Sequence, residues 1–150
     1  MMQYPSLYTL ILSLLTKAHG QYVTPGTFEL AGRAGVPPMH AALLPNGQVM
    51  FLDKLENYTE CTFATGRYAY STLYDPYSYE LQPLKVSSNA FCCGGAFLAD
   101  GTLMTMGGNA PLTWLDDSIA DGFDALRYLY NIEQIGHWNE YEGVKMSSKR

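Results

Sequence analysis

Two segments of this chain, 54 residues apart, carry the same hairpin pattern, and this repeat constrains the fold more than any other feature. Residues 39–53 and 93–107 align so that Gly47 lies over Gly101. In each segment a short apolar run meets Asn-Gly or Asp-Gly, and a second apolar run follows. These dipeptides tolerate the positive φ angles of tight hairpin turns, so each segment predicts two antiparallel strands.

The stretch between the hairpins adds two more strand-like runs. These are residues 69–74 and 79–86, with Asp75-Pro76 opening the turn between them. A period near fifty residues that holds four antiparallel strands is typical of a kelch-type propeller blade. We therefore predict an all-β chain of about two four-stranded antiparallel blades. The alternative is two unrelated hairpins in a β-sandwich.

After the second hairpin the pattern is less regular. Residues 114–131 predict a long loop that returns to a strand near residues 126–130, and residues 140–150 are polar. A propeller needs about four to eight blades to close its ring, and two blades alone would expose unpaired strand edges. We therefore expect a fragment or truncated product of a longer propeller.

The first twenty residues have the pattern of an export signal. Residues 7–15 form an apolar core that is too short to span a bilayer, and Ala18 and Gly20 are small residues preceding a plausible cleavage point. The alternative is a buried N-terminal strand or helix. We expect residues 1–20 to be a signal peptide and residues 21–150 to form the partial propeller domain.

Export would place the chain outside the cell, where a glycosylation site and the absence of a membrane span become relevant. Asn57-Tyr58-Thr59 is an N-glycosylation sequon, so Asn57 is an expected glycan site on a surface loop. No stretch after residue 20 is apolar enough to form a transmembrane helix, so we expect no membrane attachment after signal removal.

Charge and motifs exclude several functions. The net charge is -5 without a basic stripe, which makes nucleic acid a poor partner. The chain has no nucleophile elbow, phosphate loop or dinucleotide fingerprint. His40 is more typical of a packed histidine than of a metal ligand. The aspartates of residues 116–124 are more typical of a solvated loop than of a calcium site.

The three cysteines, Cys61, Cys92 and Cys93, are an odd number for an exported protein. A disulfide between Cys61 and Cys93 is one option, and a Cys61 partner outside this sequence is another. From the residues alone, Cys92 is most simply a buried free thiol in a strand, as cysteine often is.

A resemblance to a known family adds to this interpretation. Residues 88–103, which contain Phe91-Cys92, and the following residues 106–109 resemble the Phe-Cys motif of fungal glyoxal oxidases. Residues 38–47 are similar to the opening of that family's N-terminal domain, and residues 121–127 to a further stretch. The resemblance runs from about residue 36 to residue 150.

The resemblance implies a copper radical oxidase on a seven-bladed kelch propeller. Members oxidise a small aldehyde or alcohol and reduce dioxygen to hydrogen peroxide. A cysteine following Phe bonds to the ring of a tyrosine that binds copper, and this role falls to Cys92. Cys93 stands where relatives have a small residue such as Ser or Ala, a departure that leaves the register between the two cysteines open.

The resemblance also implies which parts lie elsewhere. Residues 146–150 look like the start of the motif that carries the cross-linked tyrosine, and the tyrosine and histidine copper ligands are not among these residues. We therefore expect copper in the full-length parent, none bound by this chain, and no activity of the chain alone. The alternative function is a non-catalytic, secreted kelch-type binding module.

Overall fold

The computed structural model describes residues 25–130 and 137–149. By its contacts the chain divides into residues 1–30 and 31–150, and all the strands lie in the second unit. Of the first unit, the described residues 25–30 contain a turn and no regular element, and the expected signal peptide lies outside the described residues. The strands are β1 His40–Leu43, β2 Val49–Leu52, β3 Ser71–Tyr74, β4 Leu81–Leu84, β5 Gly94–Phe97, β6 Leu103–Met106 and β7 Leu126–Leu129.

The first sheet is an antiparallel meander in the order β1-β2-β3-β4. In its register Ala42 pairs with Met50, and Met50 with Leu73. The turn between β3 and β4 begins at Asp75, whose carboxylate accepts the N–H groups of Tyr77 and Ser78 at 2.8 and 3.2 Å. The four predicted strands of one period are therefore confirmed, with narrower bounds.

The two hairpins have the same geometry 54 residues apart. Leu44 N–H donates to the Gln48 carbonyl at 2.8 Å, as Leu98 N–H does to the Thr102 carbonyl. The side chains of Asn46 and Asp100 each accept the backbone N–H two residues ahead. The repeat is thus a repeat of structure as well as of sequence.

The second sheet has the order β5-β6-β7, so it has three strands in the described part of the chain and not the predicted four. Beyond β7, the chain pairs with Tyr128 and Ala125 only at two isolated antiparallel bridges, to Asn139 and Lys145. A fourth strand needs continuous pairing, and these single bridges do not supply it. The all-β class is confirmed, whereas a closed seven-bladed ring stays a prediction.

One apolar core joins the two sheets. It includes Leu52, Leu73 and Leu84 from the first sheet and Leu103 and Leu129 from the second. Burial of side chains of this size contributes about 1.5–3 kcal/mol each before the entropy cost of ordering them. Val86 and Ala90, from the segment between β4 and β5, belong to the same core, which therefore holds that segment together with both sheets.

No helix occurs in the described ranges, and therefore none there is long and apolar enough to cross a bilayer.

Candidate functional site

The Phe-Cys motif forms a tight turn just before β5. Cys93 N–H donates to the Ala90 carbonyl at 3.1 Å, which closes a turn over Phe91 and Cys92. Cys92 has a φ of 62°, in the left-handed region that few non-glycine residues occupy. In this conformation the two adjacent thiols lie in different environments, since Cys92 is exposed and Cys93 is buried.

Asn89 holds the start of this turn through all of its polar groups. Its side-chain oxygen accepts the Phe91 N–H at 3.1 Å, and its side-chain amide donates to the Ala110 carbonyl at 2.7 Å. Its backbone N–H donates to the Ala120 carbonyl at 3.0 Å, and its carbonyl accepts the Asn109 N–H at 3.2 Å. The residue is therefore anchored to segments on both sides of the turn.

Arg127 reaches the same segment from the middle of β7. Its side chain is 0% exposed, and it donates to the Gly107 carbonyl at 2.8 Å and to the Asn89 carbonyl at 3.2 Å. Its Nε lies 3.8 Å from a carboxylate oxygen of Glu140. Glu140 also accepts the Ser87 N–H at 2.6 Å and the Ser88 hydroxyl. The guanidinium is thus both charge-compensated and bound to two loops.

Two glycines let these loops approach closely. A Cβ on Gly108 or on Gly122 would overlap the Asn89 carbonyl oxygen, and on Gly122 it would also lie 2.9 Å from a guanidinium nitrogen of Arg127. Backbone atoms cannot rotate away from such an overlap as a flexible side chain can. The packing around the Asn89 carbonyl therefore depends on glycine at both positions.

The buried cysteine has a different environment from its neighbour. Burial raises the pKa of the Cys93 thiol, although the nearby charge of Arg127 and the Thr105 hydroxyl oppose this rise. A raised pKa keeps the thiol protonated and unreactive at neutral pH. Of the two cysteines that the sequence offers for the thioether, Cys92 is the one whose sulfur is exposed.

The surface beside Cys92 is open. All of β5 is exposed, and no atom lies within 4 Å of a Cβ placed on Gly94. Two consecutive glycines leave the start of this edge strand without side chains. The start of β5, next in the chain to the two cysteines, is therefore open.

The other residues singled out in the sequence lie apart from this turn. Asn57 is exposed in an irregular segment between β2 and β3, and glycosylation there stays a prediction. Cys61 is half-buried, and the structure records Cys61, Cys92 and Cys93 as free thiols. The Cys61–Cys93 pairing therefore remains an untested option.

His40 and the aspartates of residues 116–124, the acidic loop, have different surroundings. Burial, with a contribution from the charge of Arg127, lowers the pKa of His40, so its imidazole is neutral at pH 7. Asp116 binds Ser118 and Arg67, and Asp121 and Asp124 pair with Lys149 and Lys145. Across residues 25–130 and 137–149, no three His, Cys, Asp or Glu residues converge as metal ligands.

A cavity of about 440 Å³ lies elsewhere, between residues 63–70, the end of β4 and the acidic loop. Tyr70 and Arg67 reach Asp116 in its wall, at 3.4 and 3.5 Å. Burial, helped by the charge of Asp116, raises the pKa of Tyr70 to about 12. The cavity therefore offers a neutral phenol and a paired carboxylate, and it shares no lining residue with the Cys92 turn.

Sequence reasoning missed Arg127 and Asn89. Both residues lie in stretches that resemble the family, but the resemblance assigns neither of them a role. The available signal was a charged residue at an inward-facing position of the predicted strand, because β7 alternates between half-buried and buried and Arg127 shares the buried face with Leu129. Such a residue is rarely buried unless it is paired.

Comparison with known proteins supports a distant glyoxal-oxidase-like relationship. Aldehyde oxidase GLOX from Vitis pseudoreticulata is 32% identical over 144 residues, a match that covers 84% of this chain and 26% of that protein. The chain therefore spans about a quarter of the length of the curated relative it matches. No family model matches the chain, and no solved structure does.

Proposed function

We propose that this chain is the N-terminal part of a secreted copper radical oxidase and that Cys92 supplies the sulfur of its thioether. The observation that carries the proposal is the exposed Cys92 thiol, held in a left-handed turn beside the side-chain-free start of β5. The distant similarity to an aldehyde oxidase supports the reaction class. The substrate would be a small aldehyde or alcohol.

The cross-link is a two-electron oxidation. The S–H bond of Cys92 and one ring C–H bond of a tyrosine break, and a C–S bond forms. The two electrons and two protons pass to dioxygen, which becomes hydrogen peroxide. An electron-rich sulfur on the ring then makes the phenol easier to oxidise to a radical.

Copper would supply one-electron redox chemistry next to that tyrosine. Among residues 25–130 and 137–149, no three His, Cys, Asp or Glu side chains converge to hold such an ion. In the proposal the tyrosine and histidine ligands belong to the remainder of the parent oxidase, and we expect no peroxide production by this chain alone. What the described residues contribute is the position of one thiol.

Mass spectrometry of the secreted product that contains these residues together with the tyrosine tests the proposal. We expect the Cys92 peptide to be joined to a tyrosine peptide, with a mass lower by two hydrogen atoms than the sum of the two. Cys92→Ser should abolish the cross-link, and Cys93→Ser, the matched control, should retain it. A free Cys92 thiol in the copper-loaded wild type would refute the assignment.

A non-catalytic secreted binding module is the second candidate. The cavity of about 440 Å³ favours it, because Phe63 and Tyr68 offer aromatic surface beside the polar groups of Arg67 and Asp116. Under this reading Cys92 stays a free thiol in the mature product and copper has no effect on its mass.

Secretion is part of the proposal and has its own test. The mature N-terminus should be Gln21, and removal of N-linked glycan should lower the mass of wild type but not of Asn57→Gln. An intact N-terminus beginning at Met1 in the culture medium would contradict the signal peptide.

A further inference from the structure

We propose that Arg127 and Asn89 are a positioning pair that turns the Cys92 thiol outward and the Cys93 thiol inward, and so select which of two adjacent cysteines reacts. The inference rests on the proposed function for its chemical consequence. Its structural content concerns only the residues of this chain and can be tested without copper.

The first support is an equivalence between the two sheets. Arg127 pairs with Thr105, which pairs with Gly95, and Thr72 occupies the same register position in the first sheet. The Thr72 hydroxyl donates to the Ala34 carbonyl at 2.6 Å, in the segment that enters β1. Arg127 donates to Asn89, in the segment that enters β5. In both sheets, a buried polar side chain of the third strand thus holds the entry to the first strand.

In the second sheet the equivalent side chain, Arg127, is larger than Thr72 and binds two backbone carbonyls instead of one. The guanidinium presents several donors in a planar fork, and here it binds the carbonyls of Asn89, before β5, and Gly107, after β6. It therefore joins the entry and the exit of one hairpin. Glu140 secures the two residues before Asn89, through Ser87 N–H and the Ser88 hydroxyl. Three consecutive residues leading into the turn are thereby held.

The third step links this anchor to the sulfur. With the Asn89 backbone held, its side-chain oxygen accepts the Phe91 N–H, which directs the chain into the turn. Cys92 then adopts its positive φ, and the following residue returns to the core beside Arg127. Without the hydrogen bonds of Arg127 and Asn89, we expect the backbone of Cys92 to leave the positive-φ region, which L-residues disfavour.

Thiol alkylation of the folded 150-residue chain, without copper, tests the pair. Peptide mapping after iodoacetamide treatment gives the ratio of Cys92 to Cys93 labelling rates, and in wild type we expect this ratio to be at least about tenfold. Arg127→Lys keeps a positive charge near Glu140 but lacks the fork that binds two carbonyls. We expect the ratio to fall at least about threefold. Arg67→Lys, at an exposed arginine, is the matched control and should leave it unchanged.

Asn89→Ala provides a second variant. It retains the backbone carbonyl bound by Arg127, and it removes both side-chain contacts, the acceptor of the Phe91 N–H and the donor to the Ala110 carbonyl. Amide hydrogen exchange should then accelerate at Phe91 and Cys93, more than at β3, with a parallel fall in the labelling ratio. A wild-type ratio in either folded variant, or equal labelling of the two cysteines in wild type, would overturn the proposal. Because these readouts need neither tyrosine partner nor copper, their failure is distinct from absence of the thioether.

Discussion

Trp138 donates its indole N–H to the Ser71 hydroxyl at 2.9 Å, across 67 residues of chain, and both side chains are buried. The Ser71 hydroxyl in turn donates to the Phe51 carbonyl at 2.8 Å. The segment that follows β7 is thereby tied to two strands of the first sheet. This contact is one reason why the two sheets share a core.

Trp138→Phe should lower the free energy of unfolding by about 1–2 kcal/mol, because it removes the buried donor while keeping an aromatic ring in the core. Urea denaturation followed by circular dichroism measures the change. Trp114→Phe, at a tryptophan that is 79% exposed, should stay within about 0.5 kcal/mol of wild type. Equal effects of the two substitutions would mean that the indole contact contributes nothing.

Glu140→Ala should destabilise the chain by about 3 kcal/mol, because it leaves the buried Arg127 guanidinium without its counter-charge. It also removes the acceptor of the Ser87 N–H. Glu142→Ala, at an exposed glutamate two residues on, should change stability by less than about 0.5 kcal/mol. Chemical denaturation of the two variants side by side gives the comparison, and a negligible loss in Glu140→Ala would contradict the ion pair.

Gly122→Ala should cost about 1–3 kcal/mol, since the added methyl overlaps the Asn89 carbonyl oxygen and the loops must move apart. Gly94→Ala adds the same methyl where no atom lies within 4 Å, so we expect a change below about 0.5 kcal/mol. Thermal unfolding midpoints suffice to rank the two. A Gly122→Ala protein as stable as Gly94→Ala would show that the loops are not in close contact.

The free energy of unfolding should fall as pH rises through the mildly acidic range, because the buried Asp53 carboxyl keeps its proton there in the folded chain and loses it in the unfolded chain. This carboxyl is buried, and burial, with a contribution from the charge of Glu56, raises its pKa to about 7, from about 3.9 for an aspartate in an unfolded chain. Between these values the native state holds a proton that the unfolded chain has released, so stability decreases from about pH 4 to pH 7 and then levels off.

Asp53→Asn removes this titration. Relative to wild type, the variant should gain about 3 kcal/mol between pH 4.5 and pH 7.5, measured from urea midpoints at several pH values. Asp117→Asn, at an aspartate whose side chain is 81% exposed, controls for the change in net charge. A difference between wild type and Asp53→Asn that does not vary with pH would show that Asp53 is ionised in the native state.

The sequence alone determined the all-β class, both hairpins and the positions of all seven strands. These follow from local physical chemistry, because Asn-Gly and Asp-Gly select tight turns and alternating apolar runs select strands within a few residues of each other. It predicted two four-stranded blades, whereas the second sheet has three strands in the described part of the chain, and the described residues after β7 pair with Tyr128 and Ala125 only at isolated bridges.

Only the tertiary structure decided how Cys92 and Cys93 differ. They are adjacent in the chain and chemically identical, so no local pattern separates an exposed sulfur from a buried one. The separation depends on a left-handed residue and on Asn89, whose carbonyl binds Arg127 across 38 residues. Burial of a charged side chain depends on which partners folding brings to it, and those partners are distant in sequence.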